Sequence, residues 1–117
     1  MLLGLKQGKK EQKEEVMGVA VLVDGYNVIH SSSKLKRLLK GSKYQAQERL
    51  VNLVSNYCSL EGIRGYVVFD AYRGPFLERE EKINSKLKVI LTGKGKTADS
   101  YIERFVSQNK VYYDYIY

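Results

Sequence analysis

The sequence predicts an α/β fold, with helices on both faces of a mainly parallel sheet, and three observations carry that prediction. Val19-Ala-Val-Leu-Val23 is an apolar run with no polar alternation, the pattern of a strand covered on both faces. Tyr66-Val-Val-Phe-Asp70 and Leu87-Lys-Val-Ile-Leu91 repeat the design. Each run leads to an acid: Asp24 ends the first, Asp70 ends the second, and the third passes through a Gly-Lys loop to Asp99. Ligands of such sheets gather at the carboxyl ends of the strands, so three acids are expected on one edge.

At 117 residues and 44% hydrophobic content, the chain reads as one domain with a single core. Its net charge of +7 favours a polyanionic partner such as nucleic acid or a ribosomal surface. The single cysteine, Cys58, excludes an intramolecular disulfide and a cysteine-rich zinc site, and it points to a reducing compartment. No run approaches the roughly 18 apolar residues of a membrane span. Leu2-Leu3-Gly4-Leu5 is too short for a signal-peptide core and is followed by mixed charge, so no targeting signal is expected.

Residues 1–16 carry four Lys against three Glu with no buried periodicity, which reads as a solvated tail ahead of a domain at 17–117. Without the tail the net charge is still +6, so the basic character belongs to the folded part. After the first strand, Ser31, Ser32 and Ser33 offer helix caps for a short stripe of Leu35, Leu38 and Leu39. A longer helix is predicted over 44–60, burying Ala46, Leu50, Leu53, Val54, Tyr57 and Cys58 and ending at Glu61-Gly62. The second strand follows, then a polar stretch at 71–85 that holds the only proline, Pro75, and reads as a mobile loop. Beyond the third strand, Thr97 caps a helix that buries Ala98, Ile102, Phe105 and Val106, and 111–117 reads as a fourth strand.

Carboxylates share a low-dielectric edge only if a raised pKa or a bound cation offsets their repulsion. Oxygen-only ligands favour Mg²⁺ or Mn²⁺, ions that activate water and stabilise charge at a phosphodiester. Asp24, Asp70 and Asp99 are the candidate catalytic and metal-binding acids, with Glu103 one turn beyond Asp99. Taken singly, Asp24 and Asp70 read equally well as turn acids and Asp99 as a favourable charge in the first turn of a helix. Their shared position after successive strands is what groups them.

Asn27 serves either as a phosphate or metal-water ligand, or simply closes the Asp24-Gly25 turn through its amide. Gly93-Lys-Gly-Lys-Thr97 ends like a phosphate loop, but the required glycine five residues before Gly95 is Ile90, so the nucleotide-binding signature fails. Lys94 and Lys96 can still attract an RNA phosphate beside a helix N-terminus. The only histidine, His30, lacks a Ser or Cys partner at triad spacing. Tyr26 and Tyr72 adjoin Asp24 and Asp70 and are placed to stack on bases. The 34–49 segment holds six basic residues against Glu48, and Lys36, Arg37 and Lys40 are its candidate phosphate contacts.

Val21-Leu-Val-Asp-Gly-Tyr-Asn-Val-Ile29, Val67-Val-Phe-Asp-Ala71 and Thr97-Ala-Asp-Ser-Tyr-Ile-Glu103 together resemble the YacP-like branch of the NYN domains. The resemblance implies a PIN-like three-layer α/β/α sandwich and a metal-dependent endoribonuclease acting on mRNA, associated with ribosomes. It also implies a cytoplasmic setting, or the chloroplast stroma for plant or algal members. Carried over by position, Asp24 and Asp99 become the principal metal or catalytic acids, Asn27 and Asp70 shape the site, and Glu103 lies at its margin. The end departs from the pattern: Tyr117 stands where the family has a further acid, and the family continues beyond it, so the domain reads as truncated at its C-terminus. A catalytically impaired RNA- or ribosome-binding module is therefore the alternative. A phosphotransferase with Asp24 as nucleophile ranks lower, because Tyr26 occupies the place where such enzymes commonly put a second acid.

Overall fold

In the computed structural model, residues 18–71, 74 and 77–117 are described. The 1–16 tail, Met17, Tyr72 and Pro75 lie outside the described residues. The elements run β1 (Val19–Asp24), α1 (Gly25–Ser31), α2 (Ser33–Leu39), α3 (Lys43–Glu61), β2 (Arg64–Phe69), β3 (Arg79–Lys82), β4 (Leu87–Leu91), α4 (Ala98–Asn109) and β5 (Tyr115–Ile116). They form one sheet in the order β3-β4-β2-β1-β5, parallel throughout except for the antiparallel β3–β4 pair.

Strand alternation sorts the apolar runs between two layers. Val67 and Phe69 of β2 and Leu87 and Val89 of β4 face one cluster with Ile29, Leu35, Ala46 and Leu50 from α1, α2 and α3. Ala20, Val68 and Ile90 face the other, with Ala98, Tyr101 and Phe105 of α4 and Tyr113. Successive residues serve opposite cores, which is why these strands lack polar alternation. Each fully buried aliphatic side chain contributes roughly 1.5–3 kcal/mol. The expected α/β/α sandwich is thus the observed architecture.

The helices start and stop where their caps dictate. Ser32, Ser42 and Thr97 accept from the amides of Leu35, Gln45 and Ser100, and Gly62 closes α3 in the left-handed conformation at φ 68°.

Several expectations are corrected. The sequence pattern predicts no helix between the first strand and the caps at Ser31, Ser32 and Ser33, yet Asp24 caps one there, α1, and the backbone N–H of Asn27 donates to Asp24 Oδ1 at 3.3 Å. The 71–85 stretch is not all loop, because Arg79–Lys82 pairs along β4 as an edge strand. All four of its side chains are exposed, so it leaves no apolar periodicity to read. On α3, Leu53 and Tyr57 are exposed, and Val106 of α4 is exposed as well. The last strand is short, since Tyr112 turns back to the Asn109 carbonyl and Tyr113 sinks into the core. Backbone pairing with β1 begins only near Tyr115 and carries on through Tyr117, whose N–H donates to the Ala20 carbonyl at 3.0 Å. Among the described residues no helix is long and apolar enough to cross a membrane.

Candidate functional site

The parallel registers of β1, β2 and β4 bring their carboxyl ends to one edge. Asp24 closes β1 opposite Val68, so Asp70 stands just beyond it on the neighbouring strand. Asp99 lies in the first turn of α4, which follows β4, and Glu103 lies one turn further along the same helix. The expected edge is therefore real. Asp24 and Asp70 are half-buried, while Asp99 and Glu103 are exposed. Among the described residues no group of three or more His, Cys, Asp or Glu is close enough to hold a metal ion. The four acids share an edge without forming a ready donor set.

An open cleft of about 590 Å³ lies at this edge, lined by Tyr26, Lys43, Gln47, Asp70, Ala71, Gly74 and Leu91. Tyr26 reaches it because α1 begins immediately after β1. Its ring packs at 5.2 Å from Phe69, tilted by 59°, and Lys43 Nζ sits 5.1 Å from the ring centroid. Gln47 Nε2 donates to the Tyr26 hydroxyl. The ring is thus held by an apolar contact, a cation and a hydrogen bond, which fixes a flat surface beside a carboxylate and an ammonium group.

Sequence reasoning counted Lys43 only within the basic 34–49 segment, without placing it in the cleft, and missed Gln47. They are one helical turn apart on α3, flanking buried Ala46, and that i, i+4 spacing is the signal that could have found them. Lys36, Arg37, Lys40, Asn27, Lys94 and Lys96 are not among the described residues lining the cleft. Lys36 and Arg37 lie exposed on α2, Lys40 caps its end, and Asn27 is exposed on α1.

Thr92 was also missed, and it joins the two halves of the edge. It is the one buried polar side chain among the described residues, 1% exposed. Its hydroxyl accepts from the Ala71 N–H at 2.8 Å and donates to the Lys96 carbonyl at 3.0 Å, while its own N–H donates to the Phe69 carbonyl at 3.2 Å. One side chain therefore ties the residue after Asp70 to the loop bearing Lys94 and Lys96. At the base of α4, Thr97 and Ser100 exchange side-chain-to-backbone hydrogen bonds as a capping box, which orients the turn carrying Asp99.

The comparisons with known proteins agree with the motifs. The YacP-like NYN domain model matches residues 21–117. Over 84 residues the sequence is 39% identical to YacP, an uncharacterized protein of Bacillus subtilis (strain 168), covering 72% of this chain and 49% of that protein. The fold is similar to the crystal structure of Rae1 (YacP) from Bacillus subtilis, with a TM-score of 0.62 and 36% identity over 76% of this chain and 51% of that one. A mutant of the same protein also has a TM-score of 0.62, at 35% identity, with 76% and 49% covered. The chain spans about half the length of these relatives. The motifs, the sheet topology and these matches converge, and the chain belongs to the YacP-like NYN domain family.

Proposed function

We propose that this chain is the core of an endoribonuclease that cleaves mRNA in association with the ribosome. Family membership supports a nuclease-like, RNA-related role. The observation that carries the reading is the juxtaposition, at one sheet edge, of Asp24 and Asp70 with a cleft holding Lys43 and a fixed Tyr26. In this reading a nucleobase stacks on Tyr26 and Lys43 neutralises the adjoining phosphate. Asp70 and Asp24 orient or deprotonate the attacking water. Lys94 and Lys96 guide the strand from the α4 side, and Asn27, Lys36, Arg37 and Lys40 draw it in along α1 and α2. The reading carries a cytoplasmic setting with it, or the stroma of a chloroplast.

Mg²⁺ or Mn²⁺ at Asp24, Asp70, Asp99 and Glu103 belongs to the proposal as a requirement to be tested. The described acids do not form a three-donor group, so no step is routed through an ion. The same observation, with the basic surface, favours a second reading: an RNA- or ribosome-binding module that does not cleave.

Asp24→Asn separates the two. Asn is as good a helix cap as Asp, so α1 and the fold survive. If the acid is catalytic, cleavage of a ribosome-bound message and of free RNA falls roughly 10²–10⁴-fold, while RNA affinity holds or rises because a negative charge near phosphates is gone. Cleavage equal to wild type in the variant would overturn the enzymatic reading. Wild type that co-sediments with ribosomes yet cuts no faster than the variant, with Mg²⁺ or Mn²⁺ added, would establish the binding module. A chelator arm reads the ion requirement.

A further inference from the structure

At the opposite end of the sheet from the acids, the chain builds a basic hollow. The registers put Tyr66 opposite Lys88, and Lys88 opposite Lys82, across three adjacent strands. Val68 and Ile90 belong to the cluster under α4, so the alternation of β2 and β4 puts Arg64, Tyr66 and Lys88 on that side too, with Lys82 beside them. α4 packs over β1 and β2 and leaves this corner open. The hollow has a volume of about 210 Å³, and its lining includes Arg64, Lys82, Asn84, Lys86 and Lys88.

No Asp or Glu is among the described residues that line it. Among the described residues the acid paired with this group is Glu80, 3.2 Å from Lys88 Nζ. Like charges directly opposite one another on neighbouring strands, as Lys82 and Lys88 are, destabilise the pairing, and an anion between them removes that cost. The hairpin carrying Lys86 is held in place beforehand. Asn84 Oδ1 accepts from the amides of Lys86 at 2.8 Å and Leu87 at 3.1 Å, and Asn84 Nδ2 donates to Ser55 Oγ of α3 at 2.9 Å.

We infer that this hollow is a second site for the phosphate backbone of RNA, formed by Arg64, Lys82 and Lys86. The inference rests on the RNA reading above and extends it. The strand β2 runs from Arg64 at the hollow to Phe69 beside Asp70, and at ~3.3 Å per residue the two sites lie roughly 20 Å apart. One RNA chain reaching both is anchored at one end of the sheet and presented to the acids at the other. Charge dominates the lining: four of its polar side chains are cationic, the Tyr66 hydroxyl is engaged with that of Tyr113 at 3.3 Å, and the Asn84 amide is held by the hairpin and Ser55, which leaves the Ser85 hydroxyl as the remaining neutral polar group.

The test measures binding of a long single-stranded RNA across a salt series for wild type, Lys82→Gln/Lys86→Gln and Arg64→Gln. Every phosphate that a variant leaves without its cation should flatten the slope of log K against log salt by about 0.7. Because Lys82→Gln removes a like-charge pair, the melting temperature of the double variant should hold or rise, which a purely structural role would not give. Arg64→Gln, on a different strand, keeps the test open if the hairpin variant fails to fold. A slope unchanged in both variants overturns the inference. If inorganic phosphate still shifts the Lys86 and Leu87 amide signals in wild type while the RNA slope stays unchanged, the hollow takes free phosphate and the RNA assignment falls. Wild type that binds no RNA removes the RNA reading together with this one, whereas binding with a variant-independent slope removes this one alone.

Discussion

Gly25 shows how one missing side chain positions the candidate site. A Cβ there would lie 2.4 Å from Phe69 Cε1, and Phe69 is 2% exposed with no room to move. Only glycine lets α1 begin against that ring, immediately after Asp24, and so aim Tyr26 into the cleft. Gly→Ala inside a helix ordinarily stabilises by about 0.5–1 kcal/mol. Here the overlap reverses the sign, and Gly25→Ala should cost about 1–3 kcal/mol, typical of overpacking. Chemical denaturation of the two proteins checks it; a stabilised variant would mean that α1 does not pack as described.

At the scale of an element, α4 couples its stability to alkaline pH through Tyr101. Burial, and next the carboxylates of Glu78 and Glu80, push the Tyr101 hydroxyl from 10.0 up to about 12. Burial likewise raises Tyr113, which the Tyr66 hydroxyl reinforces. A folded-state pKa above the unfolded one means the protonated phenol is what the fold favours. The contribution is therefore complete below about pH 10 and is lost as pH rises toward 12. Tyr101→Phe has no such proton to lose, so its stability should fall less steeply between pH 10 and 12 than that of wild type, while the two run parallel below pH 9. Urea titrations across that range make the measurement.

Over the whole molecule, the sheet separates two kinds of charge. Acids collect at the carboxyl ends of β1 and β2 and at the start of α4, while Arg64, Lys82 and Lys86 collect at the other end. The 34–49 patch adds a third region on α2 and α3, of which Lys43 reaches the cleft. Lys36, Arg37 and Lys40 are exposed and outside the cleft lining, and in the proposed function their part is long-range attraction and loose phosphate contact with RNA. Reversing all three to Glu should weaken RNA binding and flatten its salt slope by about 0.7 for every phosphate no longer neutralised. An unchanged slope would put the RNA elsewhere on the surface.

Features that are local or periodic can be read along the chain. The apolar runs of β1, β2 and β4 announce a two-faced sheet, because every residue of such a strand has a hydrophobic layer to meet. Their order fixes Asp24, Asp70 and Asp99 on one edge, because parallel strands end together. The three motifs were enough for the family. Tertiary structure decided the rest. β3 exists because β4 offers an edge to pair with, and its Arg-Glu-Glu-Lys stretch carries no apolar signal of its own. Leu53 and Tyr57 fit the helical period yet stay exposed, since the stripe of α3 that meets the core runs through Ala46, Leu50, Val54 and Cys58 and leaves them on its flank. Lys43, Gln47 and Thr92 join the site only through partners distant in the chain, or through the packing of a side chain on a ring. The separation of the acids is tertiary too, since spacing along a chain orders side chains without fixing the distance between them.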